Sequence, residues 1–195
     1  MIEVYSQNFD NLTFAIALNQ GELVASTFSS EQKTALSNIL SNLPFGVSFQ
    51  VFHEPTAQAK AVLCALKDIY DGKDPQVKLT LATKTLPAYT RKVLKATLAI
   101  PVGYVTSYGA IAKAVGGGPR AVGNAMACNR FPPIVPCHRV VKGDLGLGGY
   151  GAGGLGVKLE FLRREQRGFS DPQDIAVDGG CLRVFPVEYV LKKYV

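Results

Sequence analysis

The first half of the chain alternates between short apolar runs and one-sided apolar stripes, the pattern of a mixed α/β fold. Residues 12–18 and 22–27 are β-like runs separated by Asn19-Gln20-Gly21, a turn signal that predicts a hairpin. Residues 47–51 alternate as a further strand would. Apolar residues recur at helical spacing in two stretches, 29–42 and 57–70. We therefore predict an α/β domain over residues 1–85.

Helical spacing predominates from residue 86 onward. Residues 87–98 are predicted as a helix, and Thr106-Ser107 offers an N-cap for a short helix that follows. Gly116-Gly117-Gly118 ends that helix, and Pro119 begins the next one at a position where its missing N–H does no harm. The order helix, glycine turn, helix is the layout of a helix-turn-helix.

The remainder of the chain is less regular. A glycine-rich stretch at 146–154 lacks the GxxxxGK[ST] pattern of a phosphate-binding loop. Residues 157–167 are predicted as a helix, and residues 181–185 as a possible strand. We therefore predict a mainly α domain over residues 86–168 and a C-terminal extension over residues 169–195.

Composition excludes several classes of protein. No apolar run approaches the roughly 20 residues that a bilayer span needs, and the N-terminus lacks the features of a signal peptide. We therefore expect a cytoplasmic protein with no membrane partner. The four cysteines and two histidines lack the spacing of the usual zinc motifs. We expect no metal and no cofactor.

Positive charge is concentrated in one part of the chain. Residues 86–167 carry twelve Lys or Arg against three Asp or Glu, whereas the segments on either side are slightly acidic. Clustered cations replace counterions on phosphate backbones. The distribution favours a domain that binds a polyanion, with an ordinary solvated basic surface as the open alternative.

Pro136-Cys137-His138-Arg139 is the stretch that suggests covalent chemistry. A thiolate is the reactive form of cysteine, and a neighbouring base or cation lowers the pKa that controls its formation. Adjacent residues of an extended strand face opposite ways. If the stretch is extended, Cys137 and His138 do not touch, and a water molecule is expected to bridge them.

The helix predicted over residues 119–128 is unusually thin, since many of its residues are small: Ala121, Gly123, Ala125 and Ala127. A glycine inside a helix costs about 1 kcal/mol relative to alanine. Two explanations remain open. The thin face either packs closely against a neighbouring helix or enters a DNA groove, of which the minor groove, at about 6 Å, is the narrowest.

Taken together, these motifs resemble the O6-alkylguanine-DNA alkyltransferase family over residues 86–168. The matching residues are, in order, Pro101-Val102-Gly103, Thr106-Ser107-Tyr108, 120–126, Asn129, 134–141, Gly153-Gly154-Leu155, Lys158 and Glu165. The resemblance implies a ribonuclease H-like N-terminal α/β domain and a mainly α, winged helix-turn-helix C-terminal domain that binds the minor groove. It also implies direct, irreversible transfer of an alkyl group from guanine O6 to Cys137, once per molecule.

The same resemblance implies the catalytic roles. Cys137 would accept the alkyl group, His138 would draw its proton through a water, and Glu165 would hold His138 in the required tautomer. Asn129 would tie the turn before Cys137 to the recognition helix. Tyr108 would donate its phenolic hydrogen to the leaving guanine.

Recognition of DNA is implied in the same way. Arg120 would enter the space vacated by a flipped nucleotide, and the remaining DNA-binding residues would be Tyr108, Ala121, Gly123 and Ala127. The carbonyls of Cys137 and Val140 would read the exocyclic amine of the base. The base pocket would comprise Val140, Tyr150, Ala152 and Gly153.

The stretch after Tyr150 is one residue longer than the usual family pattern, so either Ala152 or Gly153 is a candidate for the amide near O6. The implied partner is double-stranded DNA carrying O6-alkylguanine, bound by a monomer, at the nucleoid or in a eukaryotic nucleus. Some members of the family hold an N-terminal zinc ion. The first 60 residues here contain no cysteine and one histidine, which predicts no zinc.

Two other function classes remain open. A thiol hydrolase could use Cys137 and His138, but it would need a second activated water. A winged-helix DNA-binding protein could carry the cysteine incidentally. Non-catalytic relatives of the family replace the cysteine, which is present here as Cys137.

Overall fold

The computed structural model describes residues 1–75, 77 and 79–194. The chain forms two compact units. The first contains residues 1–70, 74–85 and 130–134, and the second contains residues 71–73, 86–129 and 135–195. Residues 130–134 thus fold with the first unit, although the sequence pattern placed them in the second domain. The tail after residue 168 is part of the second unit.

A four-stranded sheet forms the centre of the first unit. Its strands are β1 (Ile2–Phe9), β2 (Leu12–Asn19), β3 (Glu22–Ser29) and β4 (Phe49–Phe52), in the order β3-β2-β1-β4. Neighbours are antiparallel except for β4, which runs parallel to β1. The predicted hairpin is confirmed, and its turn uses Gln20 and Gly21 at φ +49° and +81°. Strand β1 was not predicted, because polar residues interrupt its apolar positions.

Two helices complete the first unit, α1 (Gln32–Ser41) and α2 (Ala57–Tyr70). The bounds of α2 match the prediction, and α1 begins three residues later than predicted. Ala35 and Ile39 of α1 pack in a core with small and β-branched residues of the sheet. The first unit is therefore a mixed α/β structure, as the sequence indicated.

Three helices dominate the second unit: α3 (Ala88–Leu98), α4 (Tyr108–Val115) and α5 (Pro119–Ala127). The Ser107 hydroxyl caps α4 by accepting a hydrogen bond from the amide of Ala110 at 3.0 Å. Gly116, at φ +89°, ends α4, and Pro119 is the first residue of α5. The predicted order of helix, glycine turn and helix is confirmed.

A second sheet, in the order β6-β5-β8-β7, includes strands from the tail. Its strands are β5 (Tyr104–Ser107), β6 (Val140–Val141), β7 (Gln173–Val177) and β8 (Gly180–Pro186). Strand β8 contains the predicted strand, whereas β7 was not predicted. The last helix, α7 (Val187–Leu191), packs its apolar residues in the same core as Val105 and Val141. The tail is thus a structural part of the second unit.

Two local predictions around the reactive stretch were wrong. Cys137–Arg139 forms a 3₁₀ turn instead of an extended strand, since the amide of Arg139 donates to the carbonyl of Pro136 at 2.9 Å. Helix α6 spans Gly154–Arg164, three residues ahead of its predicted bounds. Gly153, at φ +109°, makes the turn into α6, and the helix starts directly after it. No helix among the described residues is long and apolar enough to cross a bilayer.

Candidate active site

Cys137 is the first residue of the 3₁₀ turn and is half-buried. The Asn129 side-chain amide donates to Cys137 Sγ at 3.3 Å and to the Val135 carbonyl at 3.2 Å. Asn129 lies two residues beyond the end of α5, so its amide connects that helix to the turn that carries the thiol. The structure thus brings Asn129 and Cys137 together.

Burial raises the pKa of the Cys137 thiol, and the hydrogen bond from Asn129 and the charge of Lys158 oppose this effect. The thiol form therefore predominates in the free protein at neutral pH, and a base must remove its proton before Cys137 can act as a nucleophile.

His138, the residue after Cys137, forms a buried pair with Glu165 at the end of α6. His138 Nε2 lies 2.7 Å from Glu165 Oε1, and neither side chain is exposed. Glu165 caps the C-terminus of α6, which directs its carboxylate back to the 3₁₀ turn. A carboxylate only accepts hydrogen bonds, so Nε2 must donate and the lone pair of the neutral ring is on Nδ1.

The Nδ1 atom of His138 is buried, with no hydrogen-bond partner among the described residues. Nδ1 makes no direct hydrogen bond to Cys137 Sγ. The two side chains were predicted not to touch from an extended backbone, whereas the backbone here is a 3₁₀ turn. Burial also lowers the pKa of His138, even though the Glu165 carboxylate raises it. The imidazole is therefore neutral at neutral pH and free to accept a proton at Nδ1.

Glu165 holds a second partner that the sequence pattern did not reveal. Arg139 Nε donates to Glu165 Oε2 at 2.9 Å, and its Nη2 donates to Oε1 at 2.8 Å. The guanidinium of Arg139 is thus occupied by the carboxylate and, at 2.6 Å, by the carbonyl of Ile100. Burial by itself raises the pKa of Glu165, but His138 and Arg139 together lower it to about 2.

Two tyrosines lie near the thiol. Burial and the charge of Cys137 raise the pKa of Tyr108, the first residue of α4, so its phenol keeps its proton. Tyr150 has a buried hydroxyl without a hydrogen-bond partner in the described part of the chain. Its ring meets the His138 ring edge to face, at 6.5 Å between centroids. Burial, Cys137 and Glu165 raise the pKa of Tyr150 well above its usual value.

The other predicted pocket residues frame the same region. Val140 follows the 3₁₀ turn and is fully buried. Ala152 is half-buried and Gly153 is exposed, both just before α6. A Cβ atom at Gly153 would lie 2.9 Å from Val157 Cγ2, which explains the glycine.

Of the small residues of the thin helix α5, Ala125 is buried and the other three are at least partly exposed. Arg120 and Ala127 are exposed, and Ala121 and Gly123 are half-buried. A Cβ atom built at Gly123 would meet nothing within 4 Å. Close packing against a neighbouring helix therefore does not explain this glycine.

No group of three or more His, Cys, Asp and Glu side chains is placed to hold a metal ion in the ranges that the structure describes.

Lys158 is a further residue of the site for which the sequence predicted no role. It is fully buried and contacts three backbone carbonyls.

Known proteins resemble this chain in sequence and fold. The family model for the DNA-binding domain of 6-O-methylguanine DNA methyltransferase matches residues 88–167 of the sequence. A methylated-DNA–protein-cysteine methyltransferase from Pyrobaculum aerophilum is 54% identical over 68 residues, 35% of this chain and 45% of that protein. The chain thus spans less than half the length of this relative.

Longer matches extend the comparison. An Archaeoglobus fulgidus protein of the same name is 39% identical over 105 residues, 51% of this chain and 70% of that protein. The crystal structure of Mycobacterium tuberculosis O6-methylguanine methyltransferase superposes with a TM-score of 0.66 at 26% identity, covering 88% of this chain and 97% of that one. The mixed α/β fold with two small sheets is therefore shared with that structure. The chain belongs to the methylated-DNA–protein-cysteine methyltransferase family.

Proposed function

We propose that this protein repairs DNA by transferring an alkyl group, such as methyl, from O6 of guanine to Cys137. The observation that carries the proposal is the arrangement around the Cys137 thiol. Asn129 donates a hydrogen bond to the thiol, and the next residue, His138, forms a buried pair with Glu165. These residues lie within the stretch that matches the family's DNA-binding domain. The names of the relatives support the same activity.

The proton leaves the thiol towards His138. Nδ1 carries the lone pair, and it makes no direct bond to Sγ, so one water molecule would relay the proton from Sγ to Nδ1. The imidazolium formed in this way is stabilised by the Glu165 carboxylate at Nε2. Because burial raises the pKa of the thiol, this proton transfer takes place during the reaction, and the resting protein carries the thiol form.

The thiolate then displaces the guanine from the alkyl carbon. The S–C bond forms, the C–O6 bond breaks, and its electron pair passes to the guanine. The guanine takes up a proton at the ring from solvent, and the His138 imidazolium returns the proton of the thiol to solvent. The protonated Tyr108 phenol beside Cys137 is the proposed hydrogen-bond donor to the ring. The product is a stable thioether, so each molecule reacts once.

DNA binding is assigned to residues 86–168, the segment in which the basic residues are concentrated. The open face of α5, with Gly123 and Ala127, would enter the narrow minor groove. The exposed Arg120 would fill the gap left when the alkylated nucleotide is flipped into the pocket. In fold terms we assign the first unit to a ribonuclease H-like domain and the second unit, with its C-terminal strands, to a winged helix-turn-helix domain, in a protein that acts as a monomer.

The flipped base would be read mainly by the backbone. The carbonyls of Cys137 and Val140 are the proposed acceptors for the exocyclic amine, since a carbonyl oxygen has two lone pairs. Tyr150 would form one wall of the pocket, and the amide of Ala152 or Gly153 would contact O6.

Mass spectrometry after incubation with an O6-methylguanine duplex tests the proposal. We expect one methyl group, retained indefinitely, on the peptide that contains Cys137. Cys137→Ala should abolish the transfer, and Cys181→Ala, at an exposed cysteine of β8, should leave it unchanged. DNA binding without transfer would point to a binding module, and turnover of an ester without transfer would point to a hydrolase.

A further inference from the structure

Lys158 is a fully buried lysine whose ammonium is held by backbone carbonyls. Nζ donates to the carbonyl oxygens of Val140 at 2.6 Å, Leu147 at 2.5 Å and Gly149 at 3.2 Å. An ammonium group has three hydrogens, and these three acceptors use all of them. Among the described residues, no carboxylate lies within ion-pair distance of Nζ.

The three carbonyls belong to two segments around the thiol. Val140 lies three residues after Cys137, in β6. Leu147 and Gly149 belong to the segment 146–153, here named the glycine loop, which precedes α6. Between them, Gly148 approaches the Tyr108 ring so closely that a Cβ atom would lie 3.2 Å from it. Lys158 therefore joins the strand after the nucleophile to the loop that contacts Tyr108.

A buried cation without a carboxylate partner is costly. Burial lowers the pKa of Lys158 to about 8, and a negative charge on Cys137 opposes that effect. The reciprocal effect is equally direct, since the charge of Lys158 lowers the pKa of Cys137. The counter-charge that Lys158 lacks in the resting protein is thus the one that Cys137 acquires when it reacts.

We propose that Lys158 is a positioning residue for the reaction of Cys137: its ammonium fixes the Val140 carbonyl and the glycine loop, and it supplies the positive charge against which the thiolate forms. The proposal rests on the proposed alkyl transfer and extends it. When the S–C bond has formed and the C–O6 bond has broken, Cys137 is a neutral thioether, and Lys158 again has no counter-charge.

Variants at Lys158 test the electrostatic part. We would measure the rate at which iodoacetamide alkylates Cys137 as a function of pH, followed by mass spectrometry, in the wild type, Lys158→Met and Lys158→Arg. Lys158→Met should lower the rate at neutral pH about tenfold, because the wild-type lysine is charged there, and the two profiles should converge at high pH, where that lysine has lost its charge. Lys158→Arg keeps the charge and should restore the wild-type rate at neutral pH.

Lys33→Met, at an exposed lysine of α1, is the matched control and should leave the profile unchanged. Superimposable profiles for the wild type and Lys158→Met would overturn the proposal. Hydrogen exchange adds a readout of the positioning part. Lys158→Met should speed amide exchange in residues 147–149 more than in the first sheet. Exchange rates in residues 147–149 equal to those of the wild type would also count against the proposal.

The wild type provides a measurement that does not depend on the folding of a variant. Carbon-13 NMR of the lysine ε-methylene groups follows a signal that titrates near pH 8. The logarithm of the wild-type rate of iodoacetamide alkylation should rise less steeply above that same pH, because the thiolate forms less readily beside a neutral lysine. A rate profile with no bend where Lys158 titrates would refute the electrostatic role.

The iodoacetamide and NMR measurements do not involve DNA. They therefore decide the role of Lys158 even if the wild type fails to take an alkyl group from O6-methylguanine, a result that would refute the proposed function alone.

Discussion

His138 Nε2 lies 2.7 Å from Glu165 Oε1, with both side chains fully excluded from solvent. This contact leaves the basic lone pair of the imidazole on Nδ1, the atom that lacks a partner among the described residues. Glu165 also accepts hydrogen bonds from the guanidinium of Arg139. Loss of the carboxylate therefore affects both the base and a buried cation.

Glu165→Gln should slow alkyl transfer on the order of 100-fold, because the amide cannot stabilise the imidazolium that forms on His138. It should also lower the free energy of unfolding by about 3 kcal/mol, since the Arg139 guanidinium loses its buried counter-charge. DNA affinity should not change, because the side chain is buried. Single-turnover kinetics at a temperature where the variant is folded, with a DNA-binding assay, measures the effect.

Glu160→Gln is the matched control for that experiment. Its carboxylate lies on the same helix but is 42% exposed, and it pairs only with Arg164 among the ion pairs described. Its rate of transfer should equal that of the wild type. An unchanged rate for Glu165→Gln as well would remove the proposed tautomer-holding role.

Acid should destabilise the protein through Glu165. The folded pKa is about 2, whereas an unfolded glutamate titrates near 4.3. As the pH falls, the unfolded state binds the proton first, so the contribution of Glu165 is complete above about pH 4.5 and is lost as the pH falls towards about 2. Urea unfolding at about pH 5 and about pH 3 should show the wild type losing about 2 kcal/mol more than Glu165→Gln. Equal losses would contradict the depressed pKa.

The sequence predicted elements whose signals are local. The hairpin of β2 and β3 follows from Asn19-Gln20-Gly21, and the cap of α4 follows from Ser107. Strands β1 and β7 were missed because exposed polar residues interrupt their apolar positions, and pairing with a neighbouring strand decides their conformation.

The residues of the candidate site could be predicted from the sequence, but the backbone conformation that presents them could not. Cys137, His138 and Glu165 could be named from their motif, but the 3₁₀ turn depends on the backbone hydrogen bond from Arg139 to Pro136. The roles of Arg139 and Lys158 could not be predicted. A basic residue is normally exposed, and only the packing of α6 against the turn reveals that both are buried, Arg139 paired with Glu165 and Lys158 held by backbone carbonyls.

Asn129→Ala should raise the pKa of Cys137 by about one unit, because a hydrogen bond to a charged group contributes about 1.5–3 kcal/mol. The rates of iodoacetamide alkylation and of alkyl transfer at neutral pH should both fall about tenfold. The pH profile of iodoacetamide alkylation is the measurement. Asn11→Ala, in the exposed turn between β1 and β2, should leave the profile in place. A wild-type profile for Asn129→Ala would show that its amide does not stabilise the thiolate.

Arg120→Ala should distinguish nucleotide flipping from chemistry. Flipping costs a few kcal/mol, and only the duplex substrate requires it. Repair of an O6-methylguanine duplex should slow on the order of tenfold, whereas the reaction with free O6-methylguanine should keep its rate. Lys60→Ala removes one exposed charge from α2 and should affect neither substrate. Equal loss on both substrates for Arg120→Ala would exclude the flipping role.

A size series at Gly123 should separate folding from DNA binding. The residue lies inside α5 with helical φ, and nothing lies within 4 Å of a Cβ built there. Gly123→Ala should therefore raise the free energy of unfolding by up to about 1 kcal/mol, as should Gly156→Ala in α6, where the space is also open. Gly123→Leu should remain as stable as the wild type yet bind duplex DNA about tenfold more weakly, about 1.4 kcal/mol, because the thin face no longer fits the minor groove. Thermal unfolding and titration with duplex DNA measure the two effects separately. Lower stability with unchanged DNA affinity would assign Gly123 to packing.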